Sequence, residues 1–234
     1  MKMTKKKVFV SALAVCLLAI LSFGTLAWFN ATDEVTNEFY FADSDDDGQT
    51  DFSVDVTESG DPEDDGLVFE EILPGDVLEK DPTIKNTSSS DRYSQYIRVT
   101  LKLKDPEGAW KNAFDGKRIG NGKYLTLLKE MFQTVDQMNL WDLAGGEGIG
   151  YGYDEEAKEF YWVFYYKNVL GKDEEVKLFE QVTIPTGLTV EDASAMKSAF
   201  EVTVKAEAVQ AENLGLEAWQ GAKAAFEVVG EGLN

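Results

Sequence analysis

Residues 96–104 read YIRVTLKLK, and from Ile97 to Lys104 apolar and polar side chains alternate without a break. Successive residues of a β-strand point to opposite faces, so the apolar residues share one face and the polar residues share the other. The pattern therefore predicts a strand with one face buried in a core. The buried face is expected to consist of Ile97, Val99, Leu101 and Leu103.

Further strand patterns lie on both sides of this segment, and helical patterns are fewer. Strand after strand, rather than a regular strand-helix alternation, predicts a mainly β protein. We expect an antiparallel β-sandwich of jelly-roll or immunoglobulin-like type, with two or three short helices in the connections and residues 43–234 as its single domain. The other predicted strands are 35–42, 52–57, 77–85, 159–169, 176–184 and 200–210, and the predicted helices are 123–138, 189–199 and 216–226. Thr189 and Asp192 have the spacing of a capping box at the start of the second of these helices.

Two other segments suggest binding sites but have simpler interpretations. Residues 145–150, GGEGIG, are not followed by the Lys-Ser or Lys-Thr pair of a phosphate-binding loop, and we interpret them as a hairpin connection. Residues 160–166, FYWVFYY, could present aromatic rings to a carbohydrate. Alternate residues of a strand must face the core, however, so a core role is the stronger interpretation.

The first 27 residues have the order of a secretory signal peptide. Four lysines and no acid occur in residues 1–7, and residues 8–27 are almost entirely apolar. Thr25 and Ala27 supply small side chains three residues and one residue before a cleavage site. The sequence thus predicts cleavage between Ala27 and Trp28 and a secreted, extracellular protein. An uncleaved signal that anchors the chain is the alternative, since about 20 apolar residues span a bilayer.

The charge of the chain is strongly acidic. It has 22 basic and 43 acidic residues, a net charge of −21. Removal of residues 1–27 would leave 18 basic residues and all 43 acids, a net charge of −25. The negative electrostatic potential of such a chain repels nucleic acid and anionic membranes, so neither is an expected partner. Membrane contact is expected only through an uncleaved signal.

The residue inventory argues against the common hydrolytic sites. The chain has no histidine, and its one cysteine, Cys16, lies in the signal. Zinc hydrolases normally need imidazole or thiolate ligands, and a serine triad needs a histidine base. We therefore predict no catalytic residues, no required cofactor and no disulfides, and we do not expect an enzyme.

Residues 43–51, DSDDDGQTD, have the spacing of part of a calcium-binding loop. Side-chain oxygens from alternate residues can converge on Ca²⁺, and a glycine at the sixth position permits the sharp turn. The closing glutamate at position twelve is missing, because Val54 stands there. A calcium site and a solvated acidic loop both remain open. The candidate ligands are Asp43, Asp45, Asp47 and Asp51.

Several segments resemble the TasA/CalY (camelysin) family of exported proteins of Gram-positive bacteria. Residues 5–28 resemble the signal peptide that the specialised signal peptidase SipW processes, and 30–39, NATDEVTNEF, resemble the start of the family's mature chain. Other similar segments are ILPGD at 72–76, DPTIKNT at 81–87, YIRV at 96–99, the stretch from FYW at 160–162 to VTIP at 182–185, and AEAVQA at 206–211.

The resemblance implies an exported jelly-roll-like subunit that, in TasA, assembles into fibres of the biofilm matrix. In that assembly the N-terminal segment of one mature subunit completes the sheet of the next. Residues 28–42 are the corresponding candidate donor strand, and a sheet edge offers unpaired backbone groups to receive it. The alternative is that this segment pairs within its own domain. The expected assembly residues are Trp28, Phe29, Val35, Phe39 and Phe41.

Two other functions remain open. One is a monomeric, calcium-dependent surface module that binds carbohydrate or host matrix. The other is an endopeptidase, which the camelysin name implies and which the lack of histidine disfavours. The expected partners of a TasA-like subunit are a signal peptidase of the SipW type and further copies of the chain.

Overall fold

The computed structural model describes residues 30–34, 52–59, 69, 72–132, 139–195, 201–212, 214 and 221–231. Within these residues the chain is a mainly β protein whose strands pair antiparallel in a sandwich, which confirms the predicted fold class. The strands are β1 (Asn30–Glu34), β2 (Val54–Thr57), β3 (Val77–Glu79), β4 (Thr83–Asn86), β5 (Gln95–Lys104), β6 (Trp141–Leu143), β7 (Tyr151–Asp154), β8 (Glu159–Tyr166), β9 (Glu175–Lys177), β10 (Gln181–Thr183) and β11 (Val202–Gln210).

The longest strands form the middle of the large sheet. Its order is β1-β11-β5-β8, and β6 and β7 both pair with β8. β5 lies between β11 and β8, so its alternating pattern must supply one face to the core. The four apolar residues predicted for that face are all 0 % exposed.

The second layer of the sandwich is built from short strands. β4 pairs with β2 on one side and β9 on the other, and β3 pairs with β10. The backbone N–H of Leu178 donates to the Pro82 carbonyl (3.0 Å) between these two pairings. The segments β3–β4 and β9–β10 therefore behave as one interrupted strand pair.

One hydrophobic core joins the two layers. Phe160, Trp162 and Phe164 of β8 are 0 % exposed, which confirms the core interpretation of the aromatic run. They meet Val56 and Ile84 of the smaller layer in the same cluster. Burying aromatic side chains of this size contributes the largest apolar areas to folding.

Short helices occupy connections between strands, as predicted, with some differences in their bounds. The helix predicted over 123–138 ends at Met131, because Phe132 adopts an extended backbone and forms a β-bridge with Val182. Helix α1 was not predicted. The helices are α1 (Ala109–Asp115), α2 (Tyr124–Met131), α3 (Val190–Ala195) and α4 (Gly221–Glu231), with a 3₁₀ turn at Gly120–Gly122.

Residues 145–150 do not connect a hairpin, so that interpretation was wrong. β6 and β7 flank this segment and both pair with β8, one after the other along the same edge. Ala144 N–H donates to the Val163 carbonyl (2.9 Å), and Val163 N–H donates to the Gly150 carbonyl (2.7 Å). The glycine-rich segment is therefore an excursion within one interrupted edge strand, and the hairpin turn lies between β7 and β8.

A capping box begins α3, as the sequence predicts. Thr189 N–H donates to Asp192 Oδ2 (2.7 Å), and Asp192 N–H donates to Thr189 Oγ1 (3.2 Å). The same carboxylate accepts from both terminal nitrogens of the Arg118 guanidinium, with Nη2 at 3.0 Å from Oδ1. Asp192 thus joins α3 to the segment that follows α1.

We expect the contribution of Asp192 to stability to depend on pH. The hydrogen bonds from Arg118 hold the pKa of Asp192 well below its usual range, against the opposing effect of burial. Because the pKa is lower in the folded state, the stabilisation is complete above the ordinary carboxyl pKa of about 3.9 and is lost as the pH falls further. Urea unfolding should show that Asp192→Asn lowers the unfolding free energy more at about pH 6 than at about pH 3.

The matched control for this experiment is Glu191→Gln, since Glu191 is exposed on the same turn of α3. It should change stability little at either pH. An equal loss from Asp192→Asn at both pH values would contradict the assigned role of the carboxylate.

Candidate assembly interface

The N-terminal strand β1 forms one edge of the large sheet. It pairs antiparallel with β11, with Asn30 opposite Val209 and Glu34 opposite Lys205. β11 is paired with β5 on its other side. Part of the candidate donor segment 28–42 therefore pairs within its own chain, which is the arrangement that the sequence left open as the alternative to strand donation.

The composition of β1 suggests that it is weakly attached. Its five residues read NATDE and include no large apolar side chain. A backbone hydrogen bond contributes only about 0.5–1.5 kcal/mol net, because the detached strand can bond to water instead. Detachment would leave the backbone edge of β11 unpaired, and such an edge is a template for another strand of the same sequence.

Several sequence-predicted site residues lie outside the part of the chain that the structure describes. For these residues the assembly, cleavage and calcium assignments stay predictions. They are the assembly residues Trp28, Phe29, Val35, Phe39 and Phe41, the cleavage residues Ala27 and Trp28, and the calcium ligands Asp43, Asp45, Asp47 and Asp51.

Helix α4 covers part of the outer face of the large sheet. Phe226 packs against Tyr165 of β8, with ring centroids 5.8 Å apart, and the Arg98 guanidinium lies 4.5 Å from the Phe226 ring centroid. Arg98 Nε also donates to Glu207 Oε2 (2.8 Å). Tyr161 and Val163, on the same face of β8 as Tyr165, are half-buried. The aromatic run therefore presents no fully exposed row of rings.

Among the residues that the structure describes, the most exposed large apolar side chains lie at other places. Ile149 is 77 % exposed in the glycine-rich excursion, and Leu73 and Val77 are 63 % and 53 % exposed on either side of the turn at Pro74. Single exposed apolar residues are normal on a protein surface. They do not by themselves define a second interface.

Tyr153, at the opposite edge of the large sheet, is held in its neutral form. Burial and the nearby carboxylates of Asp105 and Glu155 raise its pKa to about 12. The Lys111 ammonium lies 5.2 Å from the ring centroid. The hydroxyl of Tyr153 therefore stays protonated at neutral pH.

The residues that the structure describes contain neither a metal-binding cluster nor a helix suited to span a membrane. No group of three or more Asp, Glu, His or Cys residues lies close enough there to hold a metal ion. None of the described helices combines the length and the apolar character that crossing a membrane requires.

A buried ion pair between Glu58 and Lys80 was not predicted from the sequence. Glu58 directly follows β2, and it is buried, as Val54 and Val56 of that strand are. The alternation of residues 52–58 could have revealed it, because a carboxylate stands where an apolar residue is expected.

Comparisons with protein-family models, with curated proteins and with solved structures find no match for this chain. The candidate interface therefore stands on the chain's own geometry. Its central feature is an edge strand of polar composition at Asn30–Glu34, paired with a long strand of the core sheet.

Proposed function

We propose that this protein is an exported structural subunit of the TasA/CalY type, which assembles into extracellular fibres by exchange of its N-terminal strand. In the assembled form, β1 of one copy pairs with β11 of the next copy. The protein acts as a secreted matrix component and not as an enzyme.

The pairing of β1 with β11 carries this proposal. Each copy contains both the strand and the edge that receives it, in a register that runs from Asn30 opposite Val209 to Glu34 opposite Lys205. Exchange between identical copies replaces each backbone hydrogen bond by an equivalent one, so the strand pairing itself changes little in free energy. Assembly then depends on the protein concentration and on the contacts that the residues flanking β1 make in the neighbouring copy.

Cleavage of the signal would control when exchange can occur. Cleavage after Ala27 would leave Trp28 and Phe29 as the only residues before β1. A strand next to a free terminus can enter the edge of a neighbouring sheet without threading a loop. An uncleaved signal would keep the strand attached to the membrane and would prevent polymerisation in solution.

The acidity of the chain sets a condition on assembly. Copies that each carry a net charge of −25 after cleavage repel one another. Salt at about 0.15 M screens exposed charges over about 8 Å. Fibres are therefore expected at physiological ionic strength and not at low ionic strength.

Electron microscopy of purified chains across a concentration series tests this function. A chain that begins at Trp28 should form fibres above a threshold concentration, because it contains both β1 and the edge of β11. A matched chain that begins at Asp43 lacks β1 and should remain monomeric at every concentration. Monomers from both chains would overturn autonomous polymerisation and would favour a monomeric surface module.

A further inference from the structure

Two charged side chains are buried beside strands of the smaller layer. Glu58 directly follows β2 and continues the alternation of buried residues at Phe52, Val54 and Val56. Lys80 lies between β3 and β4 and is buried, as Ile84 of β4 is. The side chain of Glu58 is 0 % exposed and that of Lys80 is 10 % exposed. Charged residues are rarely buried to this extent.

Lys80 and Glu58 contact each other directly. The Lys80 Nζ donates to Glu58 Oε1. The nearby carboxylate of Asp81 is engaged elsewhere, since it accepts from Ser59 N–H (2.8 Å), Ser59 Oγ (2.8 Å) and Lys177 Nζ (2.8 Å). Among the described residues, the acid that faces the Lys80 ammonium is therefore Glu58.

The ion pair is poorly compensated as it stands. Glu58 Oε2 is buried and accepts no hydrogen bond from the residues that the structure describes. An ionised carboxylate has about four acceptor positions, and leaving them unsatisfied away from water is unfavourable. An amide between the two side chains would be uncharged and would need only one donor and one acceptor partner. Burial therefore favours the amide over the ion pair.

We propose that Lys80 and Glu58 form a side-chain amide cross-link. The Lys80 Nζ forms a bond to Glu58 Cδ, and one carboxylate oxygen leaves as water with two of the three ammonium protons. The third proton stays on the amide nitrogen. Atoms and charge balance within the pair, and no oxidant, metal or other reactant is required.

The cross-link would have a structural consequence. It would join the end of β2 to the connection between β3 and β4, and it would close a loop between positions that are 22 residues apart in the chain. Closing a loop removes conformational freedom from the unfolded chain, as a disulfide does. An exported chain without cysteine after signal removal would gain a covalent constraint by this route, whether or not it assembles into fibres.

Peptide mass spectrometry of the full chain tests the cross-link. No lysine or arginine lies between Lys7 and Lys80, so trypsin leaves Glu58 and Lys80 in one peptide. If the amide forms, trypsin no longer cuts after Lys80, because the side chain has lost its charge, and the peptide then ends at Lys85 and is lighter by one water than its sequence predicts. A glutamate-specific protease cuts between the two residues, for example at Glu63 and Glu70. The resulting fragments should stay joined.

Two variants provide the controls. Lys80→Arg keeps the positive charge but has no primary amine, so it should show the full mass and fragments that separate. Lys177→Arg changes the neighbouring ion pair with Asp81 and should keep the cross-link. A water loss that persists in Lys80→Arg would show that the dehydration occurs at other residues, for instance at an Asp-Gly pair. Full mass and separable fragments in the chain without substitutions would overturn the proposal and leave an ordinary ion pair. This result does not depend on whether a variant folds.

Discussion

Replacement of Gly187 by alanine is expected to destabilise the protein by about 3 kcal/mol. A Cβ at this position would lie 1.8 Å from the carbonyl oxygen of Arg118 and 2.8 Å from its carbonyl carbon. Both atoms belong to the backbone, so no flexible side chain can move away. The strain must be relieved by moving the turn at Gly187 or the segment around Arg118.

Neither segment is free to move without loss. Arg118 N–H donates to the Ala113 carbonyl (2.9 Å) at the end of α1, and the Arg118 guanidinium holds Asp192 at the start of α3. Separating the two segments would break this contact and loosen the capping box.

Urea unfolding of Gly187→Ala beside Gly146→Ala measures the effect. Gly146 has no positive φ, and a Cβ there would meet nothing within 4 Å, so its replacement should change the unfolding free energy little. Equal midpoints for the two variants would show that Gly187 and Arg118 are not packed as described.

The long strands could be predicted because their own side chains determine their faces. β5, β8 and β11 each alternate over several residues, and one apolar face of each is buried in the common core. The capping box at Thr189 and Asp192 was equally predictable, because both members lie within four residues of each other. Local chemistry is sufficient in these cases.

Two features were not predicted from the sequence patterns. Helix α1 is short and begins where the carboxylate of Asp105 accepts the N–H groups of Trp110 (3.1 Å) and Lys111 (2.7 Å), after a segment that contains Pro106 and Gly108. The glycine-rich excursion lies on one edge of β8 because β8 offers a long backbone to pair with. Sequence patterns do not contain these distances.

The candidate interface was predicted in part. The sequence and the family resemblance indicated that residues 28–42 contain an N-terminal strand, and the structure has a strand at Asn30–Glu34. Apolar residues also predicted a strand at 35–42, and those positions lie outside the described residues. The polar segment NATDE pairs through the backbone edge of β11, which no side-chain pattern indicates.

A peptide of residues 28–42 is expected to bind a chain that begins at Asp43. That chain lacks β1, so the backbone edge of β11 is open to a strand supplied from outside. The peptide restores the pairing from Asn30 to Glu34, and its flanking aromatic residues are available for further contacts. Exchange between copies requires this same event.

A variant peptide with Thr32→Pro and Asp33→Pro provides the matched control. Proline has no backbone N–H, and successive N–H groups of a strand point to opposite sides, so one of the two prolines removes a hydrogen bond to β11. The fixed proline φ also opposes the extended strand. We expect binding at least about tenfold weaker, which corresponds to about 1.4 kcal/mol.

Fluorescence anisotropy of the labelled peptide, titrated with the chain that begins at Asp43, tests strand exchange most directly. Circular dichroism of that chain first verifies that it is folded. The account predicts saturable binding of the natural peptide and much weaker binding of the proline peptide. No binding of the natural peptide to the folded chain, or equal binding of both peptides, would contradict it.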